Sequence, residues 1–173
     1  ALCVLGAQPL VAQAEGYPDK PVTLVVGYPA GGSTDLMART IGPELSRRLG
    51  TPVVIENLGG AGGAIGAQKV ASAAADGYTL LVGANNEIAI NKLVTKKVKY
   101  DLKDFTAIGL IASQPLVLVA STGAGVKNLA EFTQKVSKNP GKFSYGSSGV
   151  GTALHLAGEA VKEQGKLFMT HIP

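Results

Sequence analysis

Two stretches of this 173-residue sequence place a Gly/Ser/Thr-rich run between an apolar segment of strand length and a segment of helix length: Tyr28–Asp35, reading YPAGGSTD, and Ser147–Thr152, reading SSGVGT. The first N–H groups of an α-helix lack internal acceptors and carry the positive end of the helix dipole. A glycine loop that delivers the chain into such a helix therefore holds a carboxylate or phosphate through backbone donors alone. Two such ends facing one another would clamp a carboxylate without any formal charge. The same residue types also cap and turn, so either loop taken alone reads as an ordinary turn as well. His155, one turn into the second helix, is placed either to reach a ligand or to pack and cap.

Other chemistries fit these residues poorly. The run Gly59–Gly66 does not match G-x-G-x-x-G, and no G-x-x-x-x-G-K-[ST] occurs, which argues against nucleotide binding. Gly146-Ser147-Ser148-Gly149 falls short of a nucleophile elbow, because Val150 stands where Ser148 would need its second glycine. His155 and His171 are the only histidines, and neither has a second ligand at metal-binding spacing. No catalytic residue, cofactor or metal is assigned.

The elements that must position the loops follow from periodicity. Pro21–Tyr28 predicts a strand, and Ser33 to about Leu49 a helix with Met37, Ile41 and Leu45 on one face and Gly50 as its stop. Ser33, Thr34 or Asp35 is expected to cap this helix, and Pro43 to kink it or split it near Gly42. A strand over Pro52–Asn57, a helix over Ala64–Ala75 and a strand over Tyr78–Gly83 complete two βαβ crossovers, which imply a parallel sheet. Ligands of such sheets lie beyond the carboxyl ends of the strands. A short helix at Glu87–Val94 and strands at Phe105–Ala112 and Pro115–Ser121 come next. A second cycle follows: helix Asn128–Ser137, strand Phe143–Ser147, helix Thr152–Gln164, strand Leu167–Ile172.

A chain that is 46% hydrophobic has enough apolar mass for one core, or for one domain and part of another. Its formal charge of +4 comes from Lys and Arg interleaved with Asp and Glu, without the basic block that tracks nucleic acid; the balance suits a small anion slightly better than a cation. Ala1–Ala14 is uncharged and ends in Ala12-Gln13-Ala14, the small-x-small form of a signal-peptidase site, so it reads as a signal remnant cleaved near Ala14. Cys3, the only cysteine, lies in that segment; a mature chain from Glu15 has no disulfide, and lipidation at Cys3 is the alternative. No apolar run reaches the roughly 18 residues that span a bilayer, so the mature chain is expected to be soluble.

Several segments together resemble the tripartite tricarboxylate transporter receptor family, also called the Bordetella uptake gene family. They are Tyr17-Pro18-Asp19-Lys20-Pro21, Pro29–Asp35 with Ala38-Arg39, Glu56-Asn57 through Gly62-Gly63 and Gly66, Asp76-Gly77-Tyr78-Thr79-Leu80-Leu81, and Tyr145–Gly149 with His155-Leu156-Ala157-Gly158-Glu159. Leu58 departs from the pattern, which commonly has a basic residue there. The resemblance implies an α/β fold of the periplasmic binding protein type II kind, two α/β domains with a ligand cleft between them, here truncated at the C-terminal side because family members are much longer. On this chain it makes residues 1–14 the signal remnant, 15–112 the first domain and 113–173 the start of the second. It implies that Ala30, Gly31, Gly32, Ser33, Thr34 and Asp35 of the first loop, and Ser147, Ser148, Gly149, Gly151 and Thr152 of the second, grip one ligand carboxylate, with His155 nearby and Asn85 in a lesser role.

The same resemblance implies a monomeric, non-enzymatic periplasmic receptor. It would close around a tricarboxylate, dicarboxylate, acidic amino acid or aromatic acid and present it to the membrane permease subunits of a tripartite tricarboxylate-type transporter. A ligand-sensing module for a membrane signalling partner and a small-molecule enzyme fit the same scaffold, since fold alone does not establish function.

Overall fold

The computed structural model describes residues 16–95 and 98–173. The predicted signal remnant Ala1–Ala14, with Cys3, lies outside the described residues. The first half folds as β1 (Val22–Val26), α1 (Ser33–Leu49), β2 (Val53–Asn57), a 3-10 turn at Ala61–Gly63, α2 (Ala64–Ala71) and β3 (Thr79–Val82). A π-helical turn at Asn86–Ile90 then runs into α3 (Asn91–Val94). The three strands form the expected parallel sheet in the order β2-β1-β3.

Strand β1 reads as a nearly continuous apolar run because it is central and covered on both faces. Leu24 and Val26 pack on one side with Val82 and with Ala38, Ile41 and Leu45 of α1. The alternate residues, Val25 and Gly27, face α2, where a Cβ added at Gly66 would lie 2.9 Å from the Gly27 Cα. Bare glycines on both sides let helix and strand meet. Burying each such valine or leucine contributes about 1.5–3 kcal/mol.

Register sets the site edge. Val26 pairs with Asn57 on one side and Val82 on the other, so the carboxyl ends of all three strands are level and their loops emerge together. At the opposite end two of the family-like motifs clasp each other: Tyr17 donates its hydroxyl to the Gly77 carbonyl at 2.8 Å, and Tyr78 donates to Asp19 at 2.6 Å. Those motifs fasten the start of β1 to the start of β3, away from the loops.

The second half contains α4 (Leu129–Ser137), β4 (Ser144–Gly146), α5 (Ala153–Gly165) and β5 (Thr170–Ile172). Its two strands are parallel, with Tyr145 opposite His171. Val136, Leu167 and Met169 form its small core with Phe132, Phe143, Tyr145 and Val161 around them.

Three local expectations are corrected. Helix α1 runs unbroken through Pro43 rather than splitting at Gly42; its packing on the sheet outweighs the one helical hydrogen bond that a proline removes. Its N-cap is Gly32, with no side-chain cap, so Ser33, Thr34 and Asp35 do not cap it. The stretches Phe105–Ala112 and Pro115–Ser121 form no strand ladder among the described residues. Ile108, Leu110, Val117 and Val119 there are each at least 72% exposed. Apolar β-branched composition fits a strand, but a ladder also needs a neighbouring backbone.

Candidate functional site

The first loop leaves β1 through Tyr28 and Pro29 and turns at Gly31, whose φ of +89° lies in the left-handed region that favours glycine. Asp35, one turn into α1, is 2% exposed and points back into the fold. Its carboxylate accepts from Gly31 N at 2.8 Å, Arg39 Nε at 2.9 Å and Asn57 Nδ2 at 2.9 Å. Asn57 also donates to the Tyr28 carbonyl at 3.1 Å. The Arg39 guanidinium first, then the Gly31 N–H and Asn57, hold the Asp35 carboxyl well below the usual carboxylate range. The only acid of the loop is thereby turned away from its mouth. Ala30, Gly31, Gly32 and Ser33 are exposed there and Thr34 half-buried; Ser33 accepts from Gln114 Nε2 at 3.3 Å.

The second loop is tied differently. Gly149, at φ +126°, makes the turn. Ser147 Oγ lies 2.7 Å from His171 Nε2 and accepts from Gly149 N at 3.1 Å. Thr152, fully buried, caps α5 by accepting from His155 N and donates to the Gly149 carbonyl at 2.7 Å. The His155 ring reaches back to accept from Gly151 N at 3.0 Å. Ser148 and Val150 are exposed at the tip.

Among the described residues no hydrogen bond joins the two loops directly; the link runs through Tyr28, Asn86 and the Gly60–Gly63 turn. Asn86 donates Nδ2 to the Tyr28 hydroxyl at 2.8 Å and accepts from Ala153 N, at the start of α5, at 2.8 Å. Gly62 lies beside Thr152, since a Cβ added there would be 3.7 Å from its methyl group. Beneath this junction Glu87 is buried, with Oε2 accepting from Ala84 N at 3.0 Å and Oε1 without a partner among the described residues. Burial pushes its carboxyl up, which favours the uncharged acid, and burial followed by Glu87 pushes the Tyr28 phenol up. Two open grooves, about 380 Å³ between α1 and β2 and about 340 Å³ beside α2, include neither loop.

Residues 37–173 match the family described as the tripartite tricarboxylate transporter family receptor. The chain belongs to that family. It is similar to a UPF0065 protein of Bordetella pertussis, 38% identical over 162 residues that cover 94% of this chain and 50% of that protein. It is 35% identical to protein BugT of the same organism over 148 residues, 84% of this chain and 45% of that one. Among solved structures, MatC from Rhodopseudomonas palustris with bound malate matches with a TM-score of 0.82 and 34% identity, over 90% of this chain and 53% of that chain. An R. palustris protein with adipate matches at 0.78 and 32%, over 91% and 53%. The fold is the expected α/β fold of periplasmic binding proteins. The chain spans about half the length of the curated relatives it matches.

In this family member the loops offer backbone donors and hydroxyls, with Arg39 already committed to Asp35 and Asn57. Backbone N–H groups at an uncapped helix start suit an anion. Asn85 is exposed and makes no side-chain cap, whereas its neighbour Asn86 bridges to α5. The pair Asn85-Asn86 was visible after the third strand; which of the two faces inward depends on the π-helical turn. Asn57 stood in the Glu56-Asn57 motif. His171 offered only its residue type.

Proposed function

We propose that this chain grips a small carboxylate at the Pro29–Asp35 and Ser147–Thr152 loops and belongs to a periplasmic receptor that presents it to the permease subunits of a tripartite tricarboxylate-type transporter. The observation that carries this reading is the start of α1. No side chain caps it, and the one nearby carboxylate is drawn off by Arg39 and Asn57, so the first-turn N–H groups stay available to an anion. Malate and adipate in the similar structures support a carboxylate ligand of the di-, tri- or monocarboxylate, acidic amino acid or aromatic acid classes. The ligand-gripping groups are Ala30 to Thr34 with the Asp35 N–H, and Ser147, Ser148, Gly149 and Gly151, with Thr152 and His155 holding the second loop and Asn85 at the rim. Residues 15–112 and 113–173 act as separate domains of a monomer, and closure between them follows the ligand's stronger binding to the closed state.

Gly32→Val is the test. Gly32 has an ordinary φ of −76°, and a Cβ there meets only the Pro29 carbonyl, at 3.6 Å. Valine therefore leaves the loop folded and obstructs ligand approach. Calorimetric titration with malate and adipate is expected to show at least a 10-fold loss of affinity; unchanged affinity for whichever acid binds would rule out this loop.

A second reading, acyl transfer by Ser147, has the 2.7 Å contact to His171 in its favour. It lacks a carboxylate within hydrogen-bond reach of His171 among the described residues, and Ser147 Oγ is occupied by Gly149 N. Hydrolysis of p-nitrophenyl acetate that disappears in Ser147→Ala would favour it. Sensing would use the same site with another membrane partner.

A further inference from the structure

The cap of α5 has an unusual member. In a capping box the N-cap hydroxyl accepts from the N3 amide, while the N3 side chain, usually Glu or Gln, accepts from the N-cap residue's own N–H; at α5 it reaches one residue further back. Here Thr152 is the N-cap and His155 occupies N3: Thr152 Oγ1 accepts from His155 N at 3.4 Å, and His155 Nδ1 accepts from Gly151 N at 3.0 Å. Imidazole is the one side chain whose ordinary titration falls between about pH 5 and 8. A ring protonated at Nδ1 has no lone pair for Gly151 and turns a second N–H toward it.

The groups that face this ring are all known. His171 of β5 stacks on it with centroids 4.1 Å apart, and Tyr145 of β4 lies against His171 at 4.9 Å. From α5, Glu159 stands 3.8 Å from His155 Nε2, but its oxygens already serve Lys162 at 2.8 and 2.9 Å and the Tyr145 hydroxyl. The two imidazoles also divide the loop between them, His171 at Ser147 and His155 at Gly151. A charge on either ring opposes one on the other, and both sit by the positive end of α5.

We propose that His155 and His171 are positioning residues for the Ser147–Thr152 loop, and that the loop is held in its anion-binding shape only while the His155 ring is neutral. Acid then loosens Gly151 and weakens the grip on a carboxylate; this last step rests on the function proposed above.

The test follows the Gly151 amide and the His155 ring by NMR in the 173-residue chain from pH 8 to 5.5, alongside His155→Gln, which keeps an acceptor without a titrating group, and His155→Ala. The Gly151 amide is expected to shift and exchange faster with the midpoint of the His155 ring, to stay flat in His155→Gln, and to be unprotected at pH 8 in His155→Ala. Affinity for malate or adipate, measured by calorimetry, should fall by about 10-fold over the same range in the unaltered chain, the effect of one lost hydrogen bond to a charged ligand, and stay level in His155→Gln. A Gly151 amide that ignores the His155 titration, or a His155→Gln chain that titrates like the original, overturns the proposal. A Gly151 amide that follows the ring while malate and adipate affinity stays constant upholds the positioning role and removes this loop from the ligand site.

Discussion

At the end of β1 the loop is tied down by a carboxylate; at the end of β4 the corresponding loop is tied down by two imidazoles. Both segments run from strand through glycine and hydroxyl residues into a helix, yet they spend their polar groups differently. In the first, Asp35 is buried against Arg39, Asn57 and Gly31 N, so the loop is tied to α1 and β2 while the start of α1 carries no side-chain cap. In the second, Thr152 caps the helix itself, Asn86 takes the Ala153 N–H, and His155 takes that of Gly151. One motif thus yields an uncapped helix end held by charge and a capped end held by imidazole rings. The first leaves the N–H groups at the start of its helix free, while in the second those of Gly151 and Ala153 are spent on shaping the loop.

The largest expected effect separates the scaffolds behind the loops. Gly66→Ala drives a Cβ to within 2.9 Å of the Gly27 Cα and 3.1 Å of the Leu58 carbonyl, backbone that cannot step aside. A loss of about 2–3 kcal/mol is expected in urea denaturation, the upper range for overpacking. Gly158→Ala on α5 meets the edge of the Tyr145 ring, a side chain held by Glu159 and His171 rather than backbone, so a smaller loss of about 1–2 kcal/mol is expected after the gain in helix propensity. Equal losses would mean that the two helix–strand contacts are equally rigid.

Next comes the network against the hydroxyl. Asn57→Ala removes donors to Asp35 and to the Tyr28 carbonyl and the acceptor of Arg39, and should cost about 2 kcal/mol; Ser147→Ala, with Gly149 and His171 as partners, should cost about 1. Denaturation midpoints check both, and a larger loss for Ser147→Ala would reverse the ranking of the two ties.

The pH dependence should also divide the loops. Burial, then the neighbouring His155, holds His171 below its ordinary value, so the native state binds fewer protons than the unfolded one. That contribution is complete above about pH 6.5 and is lost as pH falls below it. Asp35 is lowered too, but from the carboxylate range, so its contribution persists until pH drops through about 4. Melting temperature should therefore decline in two separate steps, the upper one smaller in His171→Asn; a single decline near pH 4 would show that His171 contributes nothing.

The smallest effects are at single hydroxyls. Thr34→Ala and Ser148→Ala each remove at most one hydrogen bond to a bound carboxylate, about 1–2 kcal/mol in calorimetric titration with malate or adipate, and should fall below Gly32→Val. A hydroxyl variant that matches Gly32→Val would shift the grip from backbone to side chain.

Much of the fold was legible because its signals are short-range. Strand β1, helix α1 with Gly50 at its end, and the glycine turns follow from periods of two and 3.6 residues and from residues with restricted φ. The exposed run through Ile108 and Val119 misled for the same reason: its composition suits a strand, but a strand is defined by what lies beside it.

Local pattern alone settled the type of each principal element, the parallel sheet of the first half and the two loops that could receive an anion. Only the tertiary structure decided which polar groups those loops leave free. Asn57 meets Asp35 across 22 residues, His171 meets Ser147 across 24 and Asn86 meets Ala153 across 67. Those meetings depend on strand register and on how the two halves abut. Chain periodicity carries neither, because it records which face a residue occupies and not which residue stands opposite.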